Sequence, residues 1–377
     1  MKDAINDIKV CILSSVHYAL DTRIFYKEAK TLARAGYNVT VIAQYEKVEY
    51  VNGIKIVPLK KYRSRFQRIT GGIYSLFALA IKEDANIYHL HDPELVFIGL
   101  ALKLMGKKVV YDIHELVYFQ IEDKYWLKNK MIKFLCKKSY LLLEKVSFKF
   151  FDKLVLAEDG YEDYYEQVHN WRRYSIVRNF PIISFIDSVN PVIGYVTQKP
   201  IIIYAGVLSE LRGIKELVKS MEFIKGKAEL WLLGRWEPES FKKKCESLEG
   251  WKHTKYLGVV SLSEVYRYMK VASIGVAILC PVKNYLTSLP VKNFEYMTCK
   301  LPMVISNFPY WKEIFKECAL FANPEDPEDI ADKINYLLEN RHLMRKLSES
   351  GRQLIESKYS WEMESMKLVK LYKEIEI

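Results

Sequence analysis

The sequence predicts an α/β protein made of two consecutive domains, each built on a parallel, Rossmann-like β-sheet. The chain has 377 residues, more than one compact core usually holds. Short apolar segments alternate with segments of helical periodicity, the pattern of parallel strands covered by helices on both faces. The alternation breaks at 179–200 and then starts again. We therefore expect a first domain at 1–187, a second at 195–358 and a terminal helix at 359–377.

The first domain begins with a strand, a helix and a second strand. IKVCILSS is apolar enough for a buried strand, TRIFYKEAKTLARAG has helical periodicity, and YNVTVIA predicts the next strand. Gly36 stands where that helix should end in a left-handed residue. NIYHL, PELVFIGLALKLMG and KKVVYDI predict a further strand, helix and strand. Ligands of such sheets bind beyond the carboxyl ends of the strands.

The second domain follows a segment that is typical of a linker. NFPIISFIDSVNPVIGYVTQKP contains three prolines and no helical period. After it, PIIIYAG, AELWLLG, IGVAIL and PMVIS predict strands, and IKELVKSMEFI and SLSEVYRYMKVA predict helices between them. Ser261 and Glu264 form a capping box at the start of the second helix. The closing segment YSWEMESMKLVKLYKEI predicts a helix that is apolar enough to pack on a domain.

Composition favours a cytoplasmic globular protein. No apolar segment approaches the roughly 20 residues that a membrane-spanning helix needs. The start, MKDAINDIKVCILSS, has only a short apolar segment flanked by acids, which predicts a first strand and not a signal peptide. The six cysteines are scattered without any CxxC spacing, which indicates a reducing compartment and argues against a disulfide framework or a zinc site.

The formal net charge of +11 is concentrated in one region. Residues 124–153 hold nine lysines against two acids, interleaved with aromatic and aliphatic residues. This composition predicts helices that lie on an anionic membrane surface, on the inner face of the cytoplasmic membrane. The alternative is a pair of domain helices whose lysines extend to solvent from a buried face. No nucleic-acid-binding module is visible, so we expect no nucleic-acid partner.

The segment LPVKNFEYMTCKLPMVIS, residues 289–306, predicts a site for a diphosphate. Pro290 suits the first turn of a helix, whose unpaired N–H groups attract anions. Lys292 and Glu295, three residues apart, lie on one face of that helix. The lysine can contact phosphate while the carboxylate accepts hydrogen bonds from sugar hydroxyls. The alternative is a surface helix with an ordinary Lys–Glu pair.

Six segments in order resemble family 4 retaining glycosyltransferases of the GT-B fold. They are VHYALDTRIFYKEAKTLARAGYNVTVIA, IYHLHDPE, VVYDIHEL, AGVLSELRGIKELV, LPVKNFEYMTCKLPMVISNFPYWKEIF and KYSWE. The resemblance implies two Rossmann-like domains facing across a cleft, with the C-terminal helix packing back on the N-terminal domain. It also implies a nucleotide-diphosphate sugar as donor, a saccharide or lipid-linked saccharide as acceptor, and no metal or other cofactor. Many members build cell-surface polysaccharides and other glycoconjugates.

The resemblance also assigns roles to residues of the second domain. Glu295 would bind the ribose hydroxyls, and the turn at 288–291 would contact the diphosphate. Arg212 stands before Gly213 where the family has a lysine, and a guanidinium can clamp a diphosphate through two hydrogen bonds. The expected donor-binding set is Arg212, Gly213, Gly234, Ser288, Leu289, Pro290, Val291, Lys292 and Glu295.

The chain departs from the family pattern in three places. Val207 follows Gly206 where the family often has an arginine, and Thr287 stands where it has a glutamate, eight residues before Glu295. The glycine pair after the first strand is replaced by LDTRIF. These differences indicate altered donor contacts.

In the first domain, the resemblance places His114 beside the transferred sugar, as the catalytic residue. The alternative is a histidine whose hydrogen bonds are satisfied by Asp112 or the backbone. Asp21 and Arg23 belong to a loop on the acceptor side, or else form a structural pair.

His89, His91 and Asp92, in HLHDPE, stand at another strand end. An HxHD pattern suggests a metal site, but the sequence shows no third ligand cluster. We therefore expect Asp92 and Pro93 to cap the following helix instead.

The first hypothesis is a retaining glycosyltransferase of hexosyl type. Two alternatives are a GT-B epimerase that acts on a nucleotide sugar without an acceptor, and a membrane-associated scaffold that has lost catalysis. A dinucleotide dehydrogenase is disfavoured, because no GxGxxG follows a strand.

Overall fold

The chain folds into two α/β units, each built on its own β-sheet. A computed structural model describes residues 7–62, 64–114, 116–123, 129–169, 173–194 and 199–375. The first unit comprises residues 1–179 together with 363–377, and the second comprises 180–362. The unit boundary therefore falls inside the predicted linker.

The first unit is built on an eight-stranded sheet with the order β3-β4-β2-β1-β5-β6-β7-β8. All neighbouring strands are parallel except the hairpin β3–β4. The strands are β1 Lys9–Tyr18, β2 Asn38–Gln44, β3 Glu49–Val51, β4 Ile54–Leu59, β5 Ile87–Leu90, β6 Lys108–Ile113, β7 Lys153–Leu156 and β8 Tyr174–Ile176. Apolar side chains from both faces of this sheet are buried, so the predicted continuous apolar strands are confirmed.

Helices connect these strands. The first is wide (π-type) at Thr22–Ala29 and becomes α-helical at Lys30–Arg34. The others are Arg65–Gln67, Arg68–Gly72, Ile73–Glu83, Pro93–Leu95, Val96–Leu104, Val117–Asp123, Lys130–Phe150, Asp159–Tyr161 and Glu162–His169. Asn129 caps the longest helix, since its side chain accepts hydrogen bonds from the backbone N–H groups of Met131 and Ile132.

The second unit is built on a six-stranded parallel sheet with the order β11-β10-β9-β12-β13-β14. The strands are β9 Ile201–Ala205, β10 Glu229–Leu233, β11 Thr254–Gly258, β12 Ile274–Ala277, β13 Met303–Ser306 and β14 Ala319–Ala322. The helices are Ile183–Ser188, Glu210–Arg212, Ile214–Ile224, Ser240–Glu246, Glu249–His253, Leu262–Met269, Lys283–Thr287, Val291–Thr298, Pro309–Phe315, Pro327–Glu339 and Arg341–Ser357. The capping box of Ser261 and Glu264 is confirmed.

The segment expected to lack helical structure contains a short helix, Ile183–Ser188. Its Ile186 is fully buried in the core of the second unit. The start of the helix is capped by Glu362, whose carboxylate accepts hydrogen bonds from the N–H groups of Ile183 and Ser184. Because this cap comes from the far end of the chain, no local capping signal marks the helix in the sequence.

The last helix, Trp361–Ile375, belongs to the first unit from Met363 onward. Leu368, Leu371 and Tyr372 are buried there. The return of this helix to the first unit agrees with the predicted architecture. Within the described ranges, no helix is both long and apolar enough to span a bilayer.

Candidate functional site

Two glycines shape the carboxyl edge of the second sheet. Gly234 follows β10 with φ 135°, and a Cβ there would lie 1.8 Å from the carbonyl oxygen of Gly206. Gly206 follows β9 with φ 141°, and its Cβ would lie 2.9 Å from the Nζ of Lys292. A side chain at Gly206 would fill the space in which the lysine lies, and one at Gly234 would collide with the backbone of Gly206. The predicted Gly234 is thus required by close packing of the backbone.

Arg212 is positioned by the turn that follows. Gly213 has φ 64°, and a Cβ at this residue would stand 1.8 Å from the carbonyl oxygen of Ile278. The turn leads into the helix Ile214–Ile224. The guanidinium of the half-buried Arg212 stacks on the ring of Tyr285, 4.9 Å from its centroid. The short helix Lys283–Thr287 therefore helps to orient the predicted phosphate-binding arginine.

The buried side chain of Trp311 holds the turn at 288–291 in place. The Nε1–H of Trp311 donates a hydrogen bond of 2.7 Å to the carbonyl oxygen of Ser288. Leu289 packs against the apolar core. Pro290 is the residue before the helix Val291–Thr298, and no side chain caps this helix start within the described part of the chain. The N–H of Asn293 donates to the carbonyl oxygen of Pro290, so the N–H groups of Val291 and Lys292 are those that suit a ligand.

Lys292 lies at this helix start, with its Nζ 3.6 Å from the centroid of the Tyr204 ring. Burial holds the pKa of Lys292 well below the usual range for lysine. The nearby positive charge of Arg212 lowers the pKa further, and Glu295 opposes both effects. Two cationic side chains are thus held close together at the end of the sheet, an arrangement that an anion would relieve.

Glu295 follows one turn later and is held by a tyrosine. The hydroxyl of Tyr266 donates a hydrogen bond of 2.8 Å to the Oε1 of Glu295. Burial and the carboxylate raise the pKa of Tyr266, so this hydroxyl stays protonated. Tyr266 was not among the predicted site residues, because its position on the apolar face of Leu262–Met269 marks it only as a core residue.

In the first unit, His114 follows β6 and is half-buried. Its Nε2 lies 2.9 Å from the Nδ1 of His91 and 3.4 Å from the Oδ1 of Asp112. Its carbonyl oxygen accepts a hydrogen bond from the hydroxyl of Tyr161. Burial holds the pKa of His114 well below the usual value for histidine, so the imidazole is neutral. The contacts to His91 and Asp112 agree with the alternative that His114 is a hydrogen-bonded structural residue. They do not exclude a catalytic role, because part of the ring remains exposed.

Asp21 and Arg23 do not act together. The side chain of Asp21 caps the helix that begins at Thr22, accepting hydrogen bonds from the N–H groups of Arg23 and Ile24. Arg23 points into the interior and is only 3% exposed. Its guanidinium donates to Asp112 at 2.8 Å and to the carbonyl oxygen of Val177 at 3.0 Å. A buried arginine does not line an open acceptor surface, which corrects that expectation for Arg23.

Asp92 occupies the position before the helix Pro93–Leu95 and Pro93 lies in its first turn, as expected, but the Asp92 side chain does not cap the helix. No side-chain hydrogen bond links it to the start of Pro93–Leu95. Its carboxylate instead accepts hydrogen bonds from Ser14 Oγ at 2.8 Å and from the N–H of Ser15 at 2.6 Å. This correction has a physical reason, since the end of β1 lies beside β5 and offers several donors to one buried carboxylate.

His89 and His91 project from the same face of the sheet, with their rings stacked 4.7 Å apart. Pairing of β5 with β6 places Asp112 on that face, and the first helix brings Glu28 over it. All four side chains are buried. The sequence showed no third ligand cluster because these carboxylates come from distant segments.

The comparisons with known proteins identify the family. The profile "Glycosyltransferase Family 4" matches residues 22–155, and "Glycosyl transferases group 1" matches residues 188–354. The chain belongs to glycosyltransferase family 4, group 1. It is 29% identical over 125 residues to an uncharacterised glycosyltransferase of Methanocaldococcus jannaschii, a match that covers 33% of this chain and 34% of that relative.

Solved structures show that this family 4 protein has the GT-B fold. Sucrose-phosphate synthase from Thermosynechococcus elongatus superimposes with a TM-score of 0.76 at 17% identity, over 98% of this chain and 99% of the other. A glycosyltransferase from Rickettsia africae gives 0.74 at 14% identity, over 98% and 99%. Anabaena HepE in complex with UDP-glucose gives 0.72 at 10% identity, over 97% and 100%.

Two of the three departures from the family pattern, Val207 and Thr287, lie in the second unit of this family 4 protein. Thr287 is exposed at the end of the short helix that carries Tyr285. Val207 contributes its carbonyl oxygen, which accepts a hydrogen bond from the hydroxyl of Tyr204. That contact fixes the ring over which Lys292 lies.

Proposed function

We propose that this protein is a retaining hexosyltransferase that moves a sugar from a nucleotide-diphosphate donor to a saccharide or lipid-linked saccharide. The observation that carries the proposal is the edge of the second sheet, where Arg212, Lys292 and the uncapped start of Val291–Thr298 lie together. Each of these groups attracts negative charge, and the diphosphate is the charged part of such a donor. The UDP-glucose bound in Anabaena HepE supports the same class of donor.

The geometry suits the departure of a nucleoside diphosphate. As the bond between the sugar C1 and the diphosphate oxygen breaks, negative charge grows on the leaving group. Arg212, Lys292 and the helix N–H groups stabilise that charge where it develops, without a metal ion. In a retaining front-face reaction, the acceptor oxygen bonds to C1 on the same face and its proton passes to the leaving phosphate oxygen.

Two further residues complete the assignment. Glu295, fixed by the Tyr266 hydroxyl, accepts hydrogen bonds from the ribose hydroxyls. His114 is the proposed catalytic residue, a neutral imidazole that hydrogen-bonds a hydroxyl of the transferred sugar. The product is expected to enter cell-surface polysaccharide or another glycoconjugate.

The variant Glu295→Ala tests the donor site. Wild-type protein should gain thermal stability with the sugars of one base among UDP, GDP, ADP and dTDP, because a ligand that binds only the folded state stabilises it. Glu295→Ala should keep its fold but lose this shift and its turnover. Glu313→Ala is the matched control, because that glutamate is exposed on another helix of the same unit.

Full activity in Glu295→Ala would overturn the site, and a wild type that responds to no sugar nucleotide would overturn the function. An assay with donor alone separates transfer from epimerisation. Conversion of the sugar without an acceptor would favour the epimerase.

The helix Lys130–Phe150 supports a second proposal, that the protein binds an anionic membrane surface. Only Glu144, Ser147 and Phe148 of this helix are buried. Large apolar side chains are exposed among its lysines, namely Met131, Ile132, Phe134, Leu135, Leu142, Val146 and Phe150. The apolar residues therefore do not serve one buried face, which argues against the purely structural alternative. Residues 124–128 of the predicted basic region lie outside the described residues.

Vesicle binding tests this surface. The protein should co-sediment with vesicles that contain phosphatidylglycerol and not with pure phosphatidylcholine vesicles. Replacing Phe134 and Leu135 by serine should weaken binding at least roughly tenfold, since burying one such side chain is worth about 1.5–3 kcal/mol. Phe97→Ser, an exposed apolar residue elsewhere in the unit, is the control. Unchanged lipid binding in the double variant, or burial of this face in a stable dimer, would contradict the proposal.

A further inference from the structure

Glu28, His89, His91 and Asp112 form a buried cluster in the first unit. Each offers one donor atom, and these four atoms lie within 4.8 Å of one another. The two histidines come from β5 and the residue after it, Asp112 from β6, and Glu28 from the helix that covers this face. Imidazole nitrogens and carboxylate oxygens are ligands that zinc and related divalent ions accept.

Five polar side-chain atoms of this cluster make no well-directed hydrogen bond among the described residues. They are both carboxylate oxygens of Glu28, Nε2 of His89, Nε2 of His91 and Oδ1 of Asp112. Buried polar atoms are almost always hydrogen-bonded, so four neighbouring residues with unmade bonds call for an explanation. Their unused atoms turn toward one another, as the 3.1 Å contact between His91 Nε2 and Glu28 Oε2 illustrates.

The second ring nitrogen, Nδ1, of both His89 and His91 lies within hydrogen-bonding distance of another side chain. His89 Nδ1 lies 2.9 Å from the Tyr372 hydroxyl, and His91 Nδ1 lies 2.9 Å from His114 Nε2. Contacts of this kind fix the tautomer and the ring orientation, and they leave Nε2 for another partner. Metal-binding histidines are held in the same way by their second nitrogen.

The charge of the cluster also favours a bound cation. The two carboxylates share one arginine, Arg23, whose guanidinium contacts Glu28 Oε1 at 2.9 Å and Asp112 Oδ2 at 2.8 Å. Glu28 Oε2 and Asp112 Oδ1 are left without such a contact to Arg23. The buried Lys27 also acts on Glu28 with its positive charge. A bound cation would give Glu28 Oε2 and Asp112 Oδ1 the direct contact that Arg23 does not provide, and buried charges are costly without such contacts.

We propose that this cluster binds one divalent transition-metal ion, with Zn²⁺ as the first choice. The inference goes beyond the proposed function, since the ion would be structural and donor binding would not require it. It would join the first helix to β5 and β6, and through His91 it would hold the ring of His114. Zinc bonds of about 2.0–2.1 Å place tetrahedral ligand atoms roughly 3.3 Å apart. The donor atoms, now within 4.8 Å of one another, would therefore move closer wherever their separation exceeds roughly 3.3 Å.

Metal analysis of the full-length protein tests the site. Protein without an affinity tag, purified without chelator and equilibrated with Zn²⁺, should retain about one equivalent after desalting. Replacing Zn²⁺ by Co²⁺ should produce visible d–d absorption of a four-coordinate N/O site. Removing the ion with a strong chelator should lower the melting temperature, and adding Zn²⁺ back should restore it.

Variants assign the ligands. His89→Gln and His91→Gln should each lose the stoichiometric metal and the cobalt spectrum, whereas His342→Ala, an exposed histidine of the second unit, should keep both. Metal retained by both cluster variants would place it elsewhere and overturn the proposal. A wild type without bound metal and with a melting temperature insensitive to Zn²⁺ and chelator would show that a proton neutralises the cluster. If the variants fail to fold, the stoichiometry and cobalt spectrum of the wild type decide. None of these readouts depends on sugar transfer.

Discussion

At the scale of single residues, the proposed donor site contains charged side chains that favour the binding of an anion but lower the stability of the folded protein. Lys292 is partly enclosed by protein, lies over the Tyr204 ring and stands near the positive charge of Arg212. Burial and like charge both disfavour its ammonium form in the folded protein. A diphosphate would reverse this effect by supplying the negative charge that the site lacks.

We therefore expect Lys292→Met to stabilise the protein while it abolishes donor binding. Methionine keeps the packing on Tyr204 without the charge, and stability gains at functional sites commonly cost activity. The melting temperature should rise by a few degrees, at about 2–4 °C per kcal/mol for a domain of this size. The donor-dependent thermal shift should disappear. Lys312→Met, at an exposed lysine of the same unit, should change neither property.

Because the pKa of Lys292 is lowered in the folded protein, the stability gain of Lys292→Met should depend on pH. Between the pKa of Lys292 in the folded protein and about 10.4 in the unfolded chain, the unfolded state binds more protons. Wild-type stability therefore rises with pH across that interval. The advantage of methionine should be largest below the folded pKa and shrink as the pH approaches 10.4. A constant advantage at all pH values would contradict the lowered pKa.

At the scale of elements, the loop between β9 and the helix Ile214–Ile224 depends on one glycine. Gly213 combines a φ of 64° with a backbone contact that leaves no room for a Cβ. Gly258 has a φ of 84°, but a Cβ added there would meet no atom within 4 Å. An alanine at Gly258 would therefore introduce backbone strain alone. An alanine at Gly213 would introduce backbone strain together with a steric clash.

Gly213→Ala should destabilise the protein far more than Gly258→Ala. The control variant should cost about 1–2 kcal/mol, the penalty of a left-handed residue with a side chain. Gly213→Ala must also move the backbone at Ile278, so it should lose donor binding as well. Urea unfolding and the donor thermal shift measure the two effects. An equal loss of unfolding free energy in the two variants would show that the backbone at Ile278 moves away from the added Cβ without a measurable energetic penalty.

Elements with local signals could be predicted from the sequence, and those with remote partners could not. The central strands of both sheets follow from their apolar segments, and Lys292 and Glu295 from their spacing on one helix. The strands β3, β4, β7, β8, β11 and β14 were not predicted. The helix Ile183–Ser188 was missed because its cap is Glu362. Tyr266 was missed because a buried tyrosine on an amphipathic helix resembles any core residue.

The cluster of Glu28, His89, His91 and Asp112 illustrates the same limit. The HxH pair is visible in the sequence, but its carboxylate partners are brought together only by the order of the strands. The burial of Arg23 and the hydrogen bonds of the Asp92 side chain to Ser14 and Ser15 also differ from the expectations. Spacing along the chain predicts which residues share a strand, but not what lies across from them.

At the scale of the whole molecule, the last helix returns to the first unit and contributes to its core. Leu368, Leu371, Tyr372 and Ile375 are buried there, and the Tyr372 hydroxyl contacts His89. Glu364 is buried and accepts hydrogen bonds from the N–H and guanidinium of Arg178. The core of the first unit is therefore incomplete without residues 363–375.

Deleting residues 363–377 should unfold the first unit and leave the second folded. Each buried apolar side chain that is lost removes about 1.5–3 kcal/mol, so four approach the 5–15 kcal/mol that typically stabilises a domain. Hydrogen exchange measures the outcome by segment, with 201–357 protected and 9–156 exchanging. Met366→Ala, at an exposed position of the same helix, should leave both units protected. Protection of the first unit in the deletion variant would show that its core is stable without the returning helix.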